Sequence, residues 1–383
     1  MTKYVRVIEK DTSVKSIGVV EEVAPNKAGV CDFIYRDQYS IFDWGKMPMP
    51  EGVVMDNRPV AVIAAYNYEL VSRLGFSVCY LGAVDKDCNA HDFNWFKSHN
   101  QIPNAIRLHM VNRIKPVFRD GHWDYSEFKK PSVNNYIIPI EFIWRAEAGQ
   151  DSSFWNNIKK GCYALNDFGL SENIKQAVEF PFPVLDHSSK YEDHDRYFSP
   201  FVAKQLSGLN INQWRKLDFI RYSINDKLTK HAKSIGIHRP DGKQEFCIIN
   251  QDENSLIYLG DVCGTWHEDR FEYTTKAGNK VKVSKQTPRD LNLLINKEWA
   301  QQCTLAKERA EKEGISSWKH LVTEQPKSLE PEFFKQYNNL MYAATNAWVG
   351  WNMFSGASDL ETACSEFHKY TEDYKKRINN RSQ

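Results

Sequence analysis

The run KQEFCIINQDENSLIYLGDVCGTWHEDRF, from Lys243 to Phe271, alternates in character in a way that leaves few folds open to it. In KQEFCII a strand sends Lys243 and Glu245 to one face and Gln244 and Phe246 to the other. QDENS is a polar turn signal, and SLIYLGD returns as a second strand ending at Asp261. Pairing of the two strands brings Glu245 and Asp261 together. Mg²⁺ takes oxygen ligands and commonly shares one or two carboxylates with substrate phosphates. Two carboxylates at neighbouring strand ends therefore suit a nucleotide-bound metal, and Lys243 and Arg270 could neutralise phosphate oxygens. An ordinary exposed hairpin with a charged face carries the same pattern, so the choice between them rests on the rest of the chain.

With 383 residues the chain is long enough for two domains, or for one two-lobed domain with an appendage. Its 50 Lys and Arg offset 49 Asp and Glu, and a net charge of +1 offers no global attraction to nucleic acid or an anionic membrane. The opening residues MTKYVRVIEKDTSVK lack the apolar core of a signal peptide, and no window approaches an uninterrupted membrane span. A soluble, cytoplasmic protein without nucleic-acid or membrane partners is expected. The 8 cysteines are scattered without a CxxC pair, and Cys79 sits in the apolar run FSVCYL. Buried reduced thiols fit this spacing better than a zinc site or a redox dithiol. An aromatic content of 13%, with 11 Trp, fits a sizeable packed core.

Organisation along the chain is uneven and reads as α+β, because strands and helices do not alternate as βαβ units. Residues 1–139 read as a β-rich lobe with strands in VVEEVAP, GVCDFIYR, VCYLGAV, AIRLHMVNRI and NNYIIPIEFIW, interrupted by a helix over VAVIAAYNYELVSRLG that ends at Gly75. Residues 140–290 mix the hairpin with helices over SSFWNNIKKGCYAL and NINQWRKLDFIRYSINDKLTKHAKSIG. Residues 291–383 read as helical throughout, with one helix over LNLLINKEWAQQCTLAKERAEKEG, then LEPEFFKQYNNLMYAATNAWVGWNMF and ASDLETACSEFHKYTEDYKKRIN. The aromatic segment AWVGWNMF favours burial. Periodicity alone leaves open whether this tail packs on the core, caps a site or joins a homo-oligomer interface.

Several segments, read in order, resemble the SAICAR synthetase (phosphoribosylaminoimidazole-succinocarboxamide synthase) family. TSVKSIGVV resembles its phosphate loop, and CDFIYRDQYSIFDWGKMP is similar to its SDRYSxFDWGxMP segment. IIPIEFIWRAEAGQDSSFW resembles VPxExxxRNxxxxGSSxF, and FPFPVLDHSSKYEDHDRYFS resembles PxxxxTTKxExxDRxxS. Asp241, Lys243 and Glu245 match a DxKxE motif, GDVCGTWHEDRF stands where the family has a DE..TPDENRF segment, and VSKQTPRD resembles SKQxxR. The resemblance implies a two-lobed fold with an antiparallel-sheet N-terminal lobe, a mixed α+β C-terminal lobe, an ATP cleft between them and here an added helical region. It also implies an ATP-dependent amide ligase that joins carboxyaminoimidazole ribotide (CAIR) to L-aspartate in purine biosynthesis, releasing ADP and phosphate. In that scheme Lys243, Glu245 and Asp261 are catalytic, and Glu245 and Asp261 hold Mg²⁺. ATP meets Ser13, Lys15, Glu141, Lys190 and Lys243, with Lys15 on a flexible loop over the phosphates. Arg145, Ser152, Ser153, Asp195, Asp241 and Arg270 face the substrates. Phosphoryl transfer needs positioning and charge neutralisation above all, which is what such a set supplies.

Each assignment has a plainer reading. Lys15 could be a solvated loop lysine, Arg145 a buried partner of Glu141 or Glu147, and Asp195 a surface or helix-cap carboxylate. Asp43 and Trp44 in FDWG suit a role in shaping the turn. His187, His194 and His267 lack the spacing of a transition-metal site. Departures from the family pattern also stand out. Val262 replaces a Glu, Trp266 and His267 replace Pro-Asp, Thr12 a Gly, Ala146 an Asn, Asp151 a Gly and Gln38 an Arg. These changes keep two alternatives open: a divergent ligase acting on another carboxylate or amine, and a nucleotide-binding regulatory protein without turnover.

Overall fold

The computed structural model describes residues 4–9, 15–41, 44–130, 132–149, 152–174, 179–192, 195–251, 254–261, 263–315 and 317–381. Expectations at Thr12, Ser13, Asp43, Asp151, His194 and Val262 lie outside these residues. The architecture is mixed α+β with antiparallel sheets and a helical C-terminal region.

The first sheet is six-stranded, in the order Arg6–Ile8, Lys15–Glu21, Gly29–Tyr35, Ala105–Met110, Tyr80–Val84, Ala90–His91. All its pairs are antiparallel. The second is seven-stranded and built around one long strand, Ile237–Gln251, flanked by Ile140–Glu147 and Arg270–Thr274 and joined also by Tyr136–Ile137 and Asn254–Gly260. The hairpin expected from the sequence is present, although its first strand starts six residues before Lys243, at Ile237. The two sheets meet at a seam. Val78 bridges Leu259 in parallel, and Cys79 N donates to Leu259 O at 2.9 Å while Leu259 N donates to Ser77 O at 3.0 Å.

Local chemistry explains where elements stop. The strand expected over residues 134–144 is split into Tyr136–Ile137 and Ile140–Glu147, with Pro139, which has no N–H to give a ladder, in the gap. The helix Arg58–Ser72 carries Pro59 in its first turn, where no N–H is needed, and gives way to Gly75 at φ 81°, a left-handed turn that glycine adopts without steric cost. The helix Ile211–Ser234 opens with a capping box: Asn210 accepts from Gln213 N and Gln213 accepts from Asn210 N, each at 2.9 Å. Its Trp214, Leu217, Ile220, Ile224 and Leu228 form the buried stripe. The helix expected over residues 152–165 is shorter, Ser153–Lys159, because Gly161 turns at φ 71°. The single helix expected over residues 291–314 is two, Gln286–Ile295 and Lys297–Glu313. The break falls at Asn296, whose side chain accepts from Lys327 N at 2.7 Å and donates to Lys327 O at 3.1 Å, a long-range tie that outweighs helix continuity.

One hydrophobic cluster runs from the first sheet through Phe246 and Phe271 to Trp348 and Phe367 of the C-terminal helices Pro331–Val349 and Leu360–Arg381. The aromatic tail segment is buried as its composition suggests, with Trp348 1% exposed. Trp44 packs edge-on against Trp299 at 5.4 Å, which is a structural role. Among the described cysteines Cys31, Cys79, Cys247, Cys263 and Cys364 are buried and unbridged, while Cys162 is exposed. Among the described residues no helix is long and apolar enough to cross a membrane.

Candidate active site

The seam between the sheets opens into a cavity of about 350 Å³. Its inner wall is apolar, with Ile17, Phe33, Leu108, Met110, Ile137 and Phe246, and Lys15, Lys190, Glu245 and Asp261 also line it. An apolar slot with convergent charges is what a nucleotide base and its phosphates require.

Strand register delivers the carboxylates. Glu245 pairs with Gly260, so Asp261 follows one residue beyond it. Lys243 and Glu245 share a face as the alternation implied, since Lys243 Nζ lies 3.4 Å from Glu245 Oε1, while Gln244 points the other way and accepts from Asn225 Nδ2 at 2.9 Å. Asp261 sits at φ 52°, a conformation that Asp tolerates better than most residues. Gly264 follows at φ 61°, where an added Cβ would come within 2.8 Å of Leu228 and 3.0 Å of Asn67. The glycine is therefore required for the loop to lie this close to the helix beneath it.

Carboxylates and ammonium groups interleave across the mouth. Lys15 pairs with Asp261, and Lys190 pairs with Glu245. Lys243 Nζ lies 3.0 Å from Glu141 Oε1 and 3.5 Å from Glu268 Oε2, and Lys285 Nζ lies 3.9 Å from Glu268 Oε1. Lys15 begins the strand Lys15–Glu21, so the expectation that it rides on a flexible loop is corrected: pairing of Lys15 with Tyr35 fixes its backbone in the sheet.

These neighbours displace proton affinities in both directions. Burial alone would raise the Glu245 carboxyl, but the Lys190 and Lys243 ammonium groups overcome it and pull it down to about 2. Burial likewise works against ionised Glu268, yet Lys285, Lys243 and Lys15 hold it below the usual carboxylate range. Burial raises Asp261 and Glu141, with lysines opposing and neighbouring carboxylates assisting. Burial lowers Lys285 to about 8, against the pull of Glu268 and with the help of Arg289, Lys243 and Lys15. Burial and Lys285 take His267 down to about 3, so its ring is neutral near pH 7. Of the histidines considered earlier, His187 is also buried and accepts from Arg221 Nη1 at 2.8 Å.

The residues expected to face the substrates form a second chain of charges. Arg270 donates to Asp241 at 2.7 and 2.8 Å, and Arg145 Nη1 lies 3.9 Å from the same carboxylate. Arg145 is 4% exposed, and its Nε donates to Asp186 Oδ2 at 2.9 Å. Its buried partner is thus Asp186, a residue of the neighbouring strand Glu179–Ser189, and neither Glu141 nor Glu147. Arg145 Nη2 also donates to Ser153 Oγ at 3.0 Å, while Ser152 caps the short helix by accepting from Phe154 N at 3.3 Å. Arg270, with 56% of its side chain exposed, is the guanidinium of this chain that faces solvent. Asp195 is exposed and close enough for its charge to raise Glu141.

Sequence reasoning did not assign roles to Glu268, Lys285 or Tyr68. The motifs GDVCGTWHEDRF and VSKQTPRD contain Glu268 and Lys285. Tyr68, whose hydroxyl donates to the Asp261 carbonyl, carries no such signal.

The donor set fits Mg²⁺ on a nucleotide. Glu245 and Asp261 offer hard oxygen ligands side by side, and Mg²⁺ usually completes its shell with phosphate oxygens and water. Among the described residues no group of three or more His, Cys, Asp or Glu gathers as a metal site.

Comparison with known proteins follows the same line. The SAICAR synthetase family model matches residues 65–305. A protein of Archaeoglobus fulgidus provisionally named phosphoribosylaminoimidazole-succinocarboxamide synthase is 29% identical over 360 residues, covering 94% of this chain and 99% of its own. The phosphoribosylaminoimidazole-succinocarboxamide synthase of Thermoplasma acidophilum is 28% identical over 207 residues, 53% of this chain and 67% of that one. The solved SAICAR synthase of Saccharomyces cerevisiae, in complex with SAICAR, superposes with a TM-score of 0.53 at 18% identity, over 90% of this chain and 95% of that chain, which shows a shared fold.

Proposed function

Because the chain belongs to the SAICAR synthetase family of ATP-dependent ligases of purine biosynthesis, we propose that it condenses CAIR with L-aspartate to give SAICAR, ADP and phosphate. The observation that carries this reading is the paired arrangement of Glu245 with Lys190 and Asp261 with Lys15 at the mouth of an apolar cavity. A magnesium nucleotide can exchange into such pairs at little electrostatic cost, because each carboxylate trades an ammonium for the metal and each ammonium trades a carboxylate for phosphate. Bound Mg²⁺ would neutralise charge on the phosphate oxygens.

The chain's own residues divide the remaining work. Lys15, Lys190 and Lys243 bind and orient the ATP phosphates, with Glu141 holding Lys243 and Ser13 contributing a hydroxyl. The CAIR carboxylate attacks the γ-phosphorus as the bond to the ADP oxygen breaks. The aspartate amine then attacks the resulting acyl phosphate, forming the amide and releasing phosphate. Arg270 takes a substrate carboxylate or phosphate in exchange for Asp241, and Arg145 with Ser152 and Ser153 forms the wall behind it, with Asp195 at the edge. Lys285 adds a cation for the aspartate carboxylates. We read residues 1–139 as the ATP lobe, 140–290 as the metal and substrate lobe, and 291–383 as a helical support.

The test is direct: purified protein with ATP, Mg²⁺, CAIR and L-aspartate, followed for ADP and SAICAR. Turnover dependent on all four, lowered about 100-fold or more by Glu245→Gln and by Asp261→Asn, supports the proposal. ADP formed only with another carboxylate or amine overturns the substrate assignment, and nucleotide binding without turnover overturns the enzymatic one.

A further inference from the structure

The loop that carries Asp261 and Glu268 is held from beneath by the C-terminal helix Pro331–Val349. We infer that this helix is a clamp on the active-site loop, and that Thr345 and Trp348 are positioning residues for the metal and nucleotide; the inference rests on the site reading above.

Thr345 and Trp348 lie three residues apart on one face of the helix, and both reach the loop. Trp266, fully buried, donates from Nε1 to Thr345 Oγ1 at 3.0 Å. Its ring stands edge-on to Trp348 at 5.5 Å and to Phe271 at 4.8 Å, and Phe271 meets Trp348 at 5.3 Å, so the three rings close a triangle of perpendicular contacts. Trp348 Nε1 donates to Asn67 Oδ1 at 2.8 Å. Asn67 in turn donates to the Cys263 and Gly264 carbonyls at 3.0 and 2.8 Å. His231 Nε2 lies 2.8 Å from the Trp348 carbonyl, fixing the helix end against Ile211–Ser234.

The consequence is that the loop's backbone is tied at Cys263 and Gly264 and its side chain at Trp266, while on either side of these ties Asp261 lines the cavity and Glu268 meets Lys243 and Lys285. Asp261 keeps a positive φ of 52°, a conformation that Asp tolerates better than most residues but that still gains from surroundings that hold it. The clamp also accounts for Trp266 in place of the family's Pro: an indole there has a hydrogen-bond acceptor in Thr345, 79 residues downstream, and aromatic partners in Trp348 on the same helix and in Phe271 nearby in the chain. Partners that orient metal ligands without touching the metal typically change metal affinity by about 10- to 100-fold when removed.

The test uses the full chain with Thr345→Val, which keeps shape and removes the hydroxyl acceptor, with Trp348→Phe, which keeps an aromatic ring but removes the indole N–H and part of the packing, and with Asp261→Asn as reference. Hydrogen exchange of the Glu268 and Asp269 amides, which donate to Thr265 O at 3.1 and 3.0 Å, reads the loop directly. Calorimetric titration of ADP with and without Mg²⁺ reads the metal-dependent part of binding. The clamp predicts faster exchange at both amides and a loss of about tenfold confined to the Mg²⁺-dependent component, with the melting temperature reported alongside. Unchanged exchange in both variants overturns it, as does an equal loss of binding with and without Mg²⁺, which marks general destabilisation. Asp261→Asn separates the two layers of argument: if it leaves the Mg²⁺ dependence intact the metal assignment falls, whereas the exchange rates still judge the clamp. Should Trp348→Phe fail to fold, Thr345→Val carries the same readouts.

Discussion

The two faces of the loop between Asp261 and Arg270 are built from opposite chemistries. On one side it presents Asp261, which lines the cavity, and Glu268 to a set of lysines, where nearly every contact is an ion pair and proton affinities are pushed both up and down. Away from the cleft it presents Trp266 and Phe271 to Trp348, with edge-on rings and the Trp266 hydrogen bond to Thr345. Between the faces runs the buried pair of Arg239 and Asp269, both fully or nearly fully enclosed, in which Asp269 also accepts from Lys243 N at 3.1 Å. The comparison teaches that the exchangeable interactions are placed where a ligand can replace them, and the permanent ones where water is excluded. A charged cluster of this kind stores little net stability, since desolvation offsets attraction; the aromatic face supplies it.

The largest expected effect therefore falls on the aromatic side. Trp348→Ala should destabilise by about 3–5 kcal/mol, the range for removing a buried large aromatic, read as a shift in denaturant midpoint. Glu245→Gln should do the reverse: a drop of about 100- to 1000-fold in ATP-dependent turnover, the scale of losing one electrostatic group in a catalytic site, with a smaller cost to stability than Trp348→Ala, because the amide oxygen can still accept from Lys190 and Glu141 keeps a carboxylate beside that ammonium. If Glu245→Gln unfolds the protein as readily as Trp348→Ala, the division between the faces is wrong.

A smaller effect sharpens the charged side. Lys285 is held at about 8 from an ordinary 10.5, so the fold favours its neutral form. The unfolded chain binds more protons between these values, so the cost to stability is fully present below about pH 8 and is relieved as pH rises from there toward 10.5. For activity the sign is opposite. Loss of the ammonium above pH 8 should raise the KM for aspartate by up to roughly tenfold per pH unit while kcat changes less. Lys285→Arg, charged throughout, should move that limb upward, and a pH profile of KM that ignores the substitution would remove Lys285 from the substrate side.

Legibility in the sequence follows the same boundary. The carboxylates were readable because period-two alternation and a turn signal fix which residues share a face, and strand pairing does the rest. Lys15 and Lys190 were placed by the family resemblance, because nothing in a lone lysine announces an ion pair with a residue such as Asp261 far along the chain. Arg145 shows the limit: its strand position was clear, but its partner Asp186 belongs to another strand, and local spacing pointed to Glu141 or Glu147 instead. Trp266 looked like an interruption of a motif, since its meaning lies in Thr345 and Trp348, and Asn296 broke a periodic helix through a bond to Lys327. Periodicity reports which face is buried; it carries no information on which distant element covers it.

The finest test of the comparison is Tyr68→Phe, a change of one hydroxyl at the point where the two faces meet. Tyr68 is fully buried, stacked on Tyr80 at 5.3 Å, and its hydroxyl donates to the Asp261 carbonyl. Phenylalanine keeps the stack and the volume, so the aromatic side loses nothing, while the Asp261 backbone loses a donor. A single hydrogen bond of this kind is worth about 1 kcal/mol, or roughly a fivefold change in an equilibrium constant. That change should appear in the Mg²⁺-dependent affinity for ADP and in overall stability, with metal-free ADP binding moving less. A loss as deep as that of Glu245→Gln would mean that the carbonyl of Asp261, and not only its carboxylate, belongs to the ligand side, and the boundary between exchangeable and permanent contacts would have to be drawn through Tyr68 itself.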